Sequence, residues 1–373
     1  MATLQAHGLS KSYGKTTGIE HVDLDIGDGE FFVILGPSGA GKTTTLKSVA
    51  GLVDVDAGEV VIGGRSVTEV EPYHRNVAMA FESYALYPQK TVAQNLASPL
   101  RSGRTGSYST REQQQRIELV TTTLGINHLL QRFPRELSNG QRQRAALGRV
   151  LVRPADVYLL DEPLSHLDAK LRAAMRAELK QLGQMSSTTS LYVTHDYQEA
   201  VALADRMAIL RDGTVVQVGS PAELWNRPVD TFVAKALGQP EINLLAATVH
   251  DGMLRTHGGA IAVPVPDGCG LRAGDRARIG VRPRDLEVRK PGRGDDTWLR
   301  MHGTVDLGER LGREIELSVR VGDDEVVAVT PGTDRHREGE PVELQVPLNL
   351  VHLFAAGAGD EDTPRLPDSE EER

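Results

Sequence analysis

The chain has 373 residues, enough for two or three domains, and its 39% hydrophobic and 25% charged content is an ordinary soluble balance. A formal net charge of −9 argues against a dedicated nucleic-acid binder, which carries a basic face, and a lone cysteine, Cys269, excludes an intrachain disulfide and a cysteine-based zinc site. The opening "MATLQAHGLSKSYG" lacks the basic and then apolar segments of a signal peptide, and runs such as "FFVIL" and "VALADRMAIL" fall short of the roughly 18 residues a bilayer span needs. A membrane role would therefore need a partner to supply the span.

In chain order, "EFFVIL" is a short apolar run closed by Gly36 and predicts a central strand. "GKTTTLKSVAGL" predicts a helix with Gly51 near its end. "MAFESYALYP" runs as a buried strand to Phe81, then places Glu82 before a Tyr- and Pro-bearing loop. Residues 98–150, with the polar "RSGRTGSYST", read as a helical insertion. "VYLLDE" and "SLYVTH" predict two more buried strands, and "AKLRAAMRAELKQLGQM" an amphipathic helix. Strands alternating with helices imply a mostly parallel sheet covered by helices. Near Gly238 the pattern changes to short alternating runs, "ARIGVR", "EIELSVRV", "EVVAVT" and "PVELQVP", which predict a small antiparallel barrel or sandwich. The acidic, Pro-containing end, "AGAGDEDTPRLPDSEEER", predicts disorder. The expected division is 1–237, 238–356 and a tail, 357–373.

"GPSGAGKT", Gly36 to Thr43, fits G-x-x-x-x-G-K-[ST] between a strand and a helix. Its glycines let backbone N–H groups close on phosphate oxygens, and the helix N-terminus faces the same anions. Gly36, Ser38, Gly39, Ala40, Gly41, Lys42, Thr43 and Thr44 form the expected phosphate cradle, with Lys42 reaching the β- and γ-phosphates and the Thr43 hydroxyl binding Mg²⁺. "VYLLDEP" ends a strand on two adjacent acids. Asp161 suits a Mg²⁺ contact and Glu162 a base acting on the attacking water. "ELSNGQRQRAALGRVLV" is a turn entering a long helix, a second anion site. One chain cannot easily bring both sites to one triphosphate, whereas a dimer can. His195 ends a strand, where a lone histidine is more often structural.

These motifs, with "LSNGQ", "LLDEP" and "SHLD" in this order and spacing, resemble an ATP-binding-cassette (ABC) transporter ATPase. "LDAKLR", "GVRPRDLEV" and "VHLF" are similar to the ATPase subunit of bacterial carbohydrate importers of the maltose and glycerol-phosphate kind, over roughly residues 3 to 355. The resemblance implies an α/β P-loop NTPase domain with a helical insertion, followed by an all-β OB-like regulatory domain. It implies an ATPase whose homodimer sandwiches two MgATP at the cytoplasmic face of the plasma membrane, bound to two membrane-spanning permease subunits and served by an external solute-binding protein. By the same resemblance Tyr13 stacks on adenine, and Ser138, Asn139, Gly140 and Gln141 meet the partner subunit's nucleotide. Asp168 organises the dimer seam and His195 contacts the γ-phosphate. A sugar is the expected solute; related importers of polyamines, metal ions and oxyanions, and a weakly hydrolysing scaffold, stay open.

Two positions depart from the family pattern. Asn139 stands where glycine is usual, and asparagine can adopt φ > 0, so the turn is expected to survive. Glu82 stands where the family carries glutamine, in the loop that senses Mg²⁺ and the γ-phosphate, and is expected to face the site as a metal-contacting and catalytic group.

Overall fold

The computed structural model describes residues 2–81, 86–101, 108–165, 167–186, 188–289, 297–356 and 362–367. The chain divides into two units, Met1–Pro221 and Ala222–Arg373.

The first unit opens with β1 (Leu4–Tyr13) and β2 (Thr16–Ile26), paired antiparallel. β3 (Phe31–Leu35) enters the interior and leads to α1 (Lys42–Ala50), which ends at Gly51 in the left-handed conformation. β4 (Ala57–Ile62) and β5 (Arg65–Ser66) return to β1, giving a four-stranded sheet in the order β2–β1–β4–β5. After β6 (Val77–Ala80) come three helices, α2 (Val92–Arg101), α3 (Thr110–Thr123) and α4 (Asn139–Leu151), so the helical insertion begins before residue 98. β7 (Val157–Asp161), α5 (Ala169–Ser186), β8 (Thr189–Thr194), α6 (Tyr197–Leu203), β9 (Arg206–Arg211) and β10 (Thr214–Gly219) follow. The central sheet has the order β10–β9–β3–β8–β7–β6 and is parallel except at β10.

β3, β7 and β8 are buried at every position, as strands covered on both faces must be. Their side chains, among them Phe32, Ile34, Leu159, Leu191 and Val193, share one core with Leu46 and Val49 of α1. All three strands end on the same edge, and the catalytic candidates described below sit at those strand ends, on the loops leaving them or at the start of α1. That is where a parallel sheet places its ligand site.

The second unit begins at the second residue of α7 (Pro221–Asn226), and α8 (Thr231–Ala236) follows. Its strands are β11 (Asn243–His250), β12 (Met253–Thr256), β13 (Ala262–Pro264), β14 (Arg276–Val281) and β15 (Glu287–Arg289). β16 (Trp298–Leu311), β17 (Glu314–Val321), β18 (Asp324–Pro331), β19 (Pro341–Pro347) and β20 (His352–Ala355) complete it. They form two antiparallel five-stranded sheets, β13–β12–β11–β14–β20 and β15–β19–β16–β17–β18. Alternate residues such as Leu245, Ile279, Met301, Leu317, Val326 and Leu344 close a common core.

Two expected boundaries move. The division falls at Pro221, earlier than Gly238, because residues 222–237 are tied to the β-sheets by the buried Arg282. Its guanidinium donates to Ala234 O (3.2 Å), Leu237 O (2.6 Å) and Trp225 O (2.9 Å), and lies 3.8 Å from the centre of the Trp225 ring. It thereby satisfies carbonyls that the ends of two short helices leave unpaired. The tail expected to be disordered contains an ordered stretch, Asp362–Pro367. Thr363 O accepts from Thr231 N (3.0 Å), Pro364 O from Ala355 N (2.8 Å), and Leu366 N donates to Leu353 O (2.8 Å).

Candidate functional site

The loop from β3 to α1 is walled in by backbone. A Cβ at Gly36 would lie 2.5 Å from Leu210 O, and one at Gly41 2.5 Å from Gly18 O. Gly41 also has φ +102, a conformation costly for any side chain. Ala40 is buried and its carbonyl accepts from Gly213 N (3.0 Å), while Ser38 and Gly39 face solvent. Thr44 is half-buried in the first turn of α1, which carries no acidic residue. Lys42 is 5% exposed, and its ammonium donates to Gly36 O and Pro37 O, both at 2.9 Å. Burial pushes its pKa down from the ordinary lysine value, against the opposing pull of Glu162. Thr43 Oγ1 donates to Asp161 Oδ1 (3.0 Å).

Asp161 closes β7 and Glu162 follows in a left-handed conformation, φ +43, which for a residue with a Cβ costs about 1–2 kcal/mol. Its amide donates to Val193 O of β8 (3.1 Å), holding the turn against the neighbouring strand. Its carboxylate then points two ways. Oε1 lies 3.7 Å from Lys42 Nζ, and Oε2 lies 2.8 Å from Nδ1 of the exposed His195. An ionised carboxylate only accepts, so Nδ1 carries the proton in this contact and Nε2 is free of it in the neutral ring. The expected site residues Lys42, Thr43, Asp161, Glu162 and His195 thus meet in one place.

The other expected residues lie apart from that centre in their bonding. Ser138 caps α4 in a capping box: its hydroxyl accepts from Gln141 N (3.3 Å), and Gln141 Oε1 accepts from Ser138 N (3.0 Å). Asn139 is the first helical residue and has no positive φ, so the expected left-handed turn is not what accommodates it. Its side chain instead accepts from Arg142. A Cβ at Gly140 would lie 3.2 Å from Leu167, so the turn packs beside the stretch ending at Asp168. Asp168 Oδ1 accepts from Leu171 N (2.9 Å) and caps α5. Tyr13 ends β1, 48% exposed, with its ring over Gly18, where a Cβ would come within 2.9 Å. Glu82 lies outside the described residues.

Sequence reasoning missed the groups beneath His195. Glu199 is 2% exposed, and its Oε2 accepts from Tyr192 OH (2.7 Å) and Thr194 Oγ1 (2.9 Å). Burial pushes the Glu199 carboxyl up and the Tyr192 phenol well up. Asp196, a capping residue directly after a strand, was the one readable signal.

The residues present fit a nucleoside polyphosphate with a divalent cation. The cradle excludes side chains where phosphate oxygens must approach backbone N–H groups, and a buried ammonium stands beside it. Among the described residues no group of three or more His, Cys, Asp or Glu could hold a metal; one carboxylate and a hydroxyl suit Mg²⁺, which takes its remaining ligands from phosphate and water.

Residues 19–165 match the family model described as ABC transporter, residues 243–288 the CysA C-terminal regulatory domain and residues 279–354 the TOBE domain. The sequence is 43% identical over 360 residues to the sn-glycerol-3-phosphate import ATP-binding protein UgpC of Cereibacter sphaeroides, covering 96% of this chain and 99% of the relative. The chain belongs to the ATP-binding proteins of ABC importers. It is also 40% identical over 376 residues to the trehalose/maltose import ATP-binding protein MalK of Thermococcus litoralis, covering 96% and 99%. A bacterial ABC transporter cassette solved as a dimer superposes with a TM-score of 0.54 and 28% identity, over 58% of this chain and 98% of that one. As a member of this family the chain is a nucleotide-binding ATPase, and no helix among its described residues is long and apolar enough to cross a membrane.

Proposed function

We propose that two copies of this ABC ATPase sandwich two MgATP at the cytoplasmic face of the plasma membrane. Closing and reopening would drive import of a sugar or sugar-related solute through two permease subunits, with an external binding protein delivering it. The names of the relatives support the solute class: glycerol phosphate, trehalose/maltose and, for a 42% identical protein of Agrobacterium fabrum, sulfoquinovosyl glycerol.

The observation that carries the mechanism is the Glu162 carboxylate held between Lys42 and His195. Lys42 neutralises the β- and γ-phosphate oxygens, and Thr43 with Asp161 would hold Mg²⁺, which would supply screening of the phosphate charge. Glu162 accepts the proton of the attacking water. His195 donates to Glu162 through Nδ1, and a contact from Nε2 to a γ-phosphate oxygen would require that nitrogen to carry a proton as well. Tyr13 stacks on the base. Ser138 to Gln141 of the second copy close over the γ-phosphate, beside the Asp168 loop on which they pack.

The test is Glu162→Gln. The amide keeps the shape but cannot act as a base, so MgATP binding persists, turnover falls by about 100-fold or more, and a dimer accumulates on gel filtration. Turnover within a few-fold of the parent would remove Glu162 from the role of base.

A further inference from the structure

The contact between Glu162 and His195 joins two loops from different strands, and something must hold those loops in register. Glu162 begins the loop from β7 to α5, which closes on Leu167 and Asp168. His195 sits between β8 and α6. Arg172, in the first turn of α5, reaches both. Its backbone N–H donates to Asp168 O (2.8 Å) and its Nη2 to Leu167 O (3.1 Å), so it is fastened to the first loop. Its Nη1 donates to Asp196 Oδ2 (3.2 Å), the residue after His195. Its Nε lies 3.8 Å from Glu199 Oε1, too far for a hydrogen bond but close for a coulombic contact inside the fold.

On the far side, Glu199 pins both flanks of His195. It accepts from Tyr192 and Thr194 of β8, and Thr194 Oγ1 in turn accepts from Asp196 N (3.0 Å). Asp196 Oδ1 caps α6 through Gln198 N and Glu199 N. His195 is therefore an exposed side chain on a backbone fixed at 194 and at 196, with Tyr192, Thr194 and Glu199 among the fixing groups buried.

We propose that Arg172 and Glu199 are positioning residues: they brace the His195 loop against the Leu167–Asp168 loop and so set the geometry of Glu162 and His195. The inference rests on the reading of those two as the catalytic pair. Neither Arg172 nor Glu199 belongs to the phosphate cradle, so the brace acts on turnover and leaves nucleotide binding alone. Because the loop it fastens also carries Asp168, at the expected seam between copies, the same brace would let closure of the dimer be felt at His195.

The experiment is a double-mutant cycle on the full-length chain, reading ATP hydrolysis and melting temperature together. Arg172→Ala is expected to lower kcat by about ten-fold or more, the cost of a catalytic group misplaced by a fraction of an ångström to one ångström, with KM for ATP within about three-fold. Glu199→Gln, which keeps an acceptor for Tyr192 and Thr194 but loses the charge facing Arg172, is expected to fall between. In a His195→Ala background, Arg172→Ala should add little, because a brace has nothing left to position. If Arg172→Ala does not fold, Arg172→Lys, keeping the charge without the fork, takes its place in the same cycle. Full additivity with His195→Ala, or a loss confined to KM, would overturn the brace. If His195→Ala alone left kcat unchanged, the reading of the catalytic pair would fail instead, and the two failures are told apart by that single variant.

Discussion

Lys42 is a buried ammonium held by two carbonyls and facing one carboxylate, and burial works against its charge. Such a cation binds phosphate strongly because little solvation remains to be removed. Lys42→Ala should therefore abolish turnover and weaken ATP binding by about ten- to a hundred-fold, the worth of a charge-assisted hydrogen bond, by calorimetric titration against the parent. Near-normal turnover would refute the phosphate-loop assignment. A second residue speaks through pH. His352 is buried, its Nδ1 has no hydrogen-bond partner among the described residues, and burial, with Arg282 and Arg365 adding repulsion, holds its pKa down at about 3 against an ordinary 6.5. The unfolded chain binds the proton first, so stability is full above pH 6.5 and is lost as pH falls toward 3. Between pH 7 and 5 the loss from this residue is about 2 kcal/mol, and His352→Gln should remove it in a thermal-melt series. An unchanged pH slope would place the histidine in contact with water. Lys42, Asp161 and Glu162 were legible because their motif and strand context constrain them. The left-handed φ of Glu162 was not, since the bond from its amide to Val193 on a neighbouring strand and its contacts with Lys42 and His195 are made only in the fold.

Among the elements, the clearest departure from expectation is the stretch Asp362–Pro367. It bridges α8 and β20: Asp230 and Phe354 form β-bridges to Pro364 and Arg365, and Thr363 is 5% exposed. Leu366 packs on the core of the β-sheets. Removing residues 362–373 strips partners from Thr231, Ala355 and Leu353, each backbone bond being worth about 1 kcal/mol net before the entropy of ordering is subtracted. A loss of about 2 kcal/mol and a drop of several degrees in the melting temperature of the second unit are expected. An unchanged melt would mean the stretch merely rests there. Acidic, proline-bearing composition hid it, because many of its bonds run through the main chain and leave no apolar pattern to read, while its side-chain bonds, such as Arg365 to Asn226 O, reach residues distant in sequence. β3, β7 and β8 were legible for the opposite reason: strands buried on both faces are written as continuous apolar runs. The sheet β2–β1–β4–β5 was not, because register shifts after Ala6, Leu9 and Lys11 break the two-residue alternation by which a half-buried strand is recognised.

At the scale of the whole molecule, two units with separate cores carry separate tasks. Every residue assigned to nucleotide chemistry, from Tyr13 to His195, lies in the first unit, and its apolar core is built from β1 to β4, β7 to β9 and α1. The second unit has its own core of paired sheets and holds His352 and the buried Arg282. A ligand that binds only the folded first unit stabilises that unit by RT ln(1 + [L]/Kd), about 2.7 kcal/mol at a hundred-fold excess over Kd. For a unit of this size that is a shift of roughly 5–10 °C. Calorimetry of the full-length chain should therefore resolve two transitions. MgATP should raise one, and the shift should vanish in Lys42→Ala. Lowering the pH from 7 to 5 should lower the other, and that effect should shrink in His352→Gln. The crossed design separates the units without cutting the chain. A single transition moved by both nucleotide and acid would show that the two cores unfold together, and the division of labour would then hold for chemistry but not for stability.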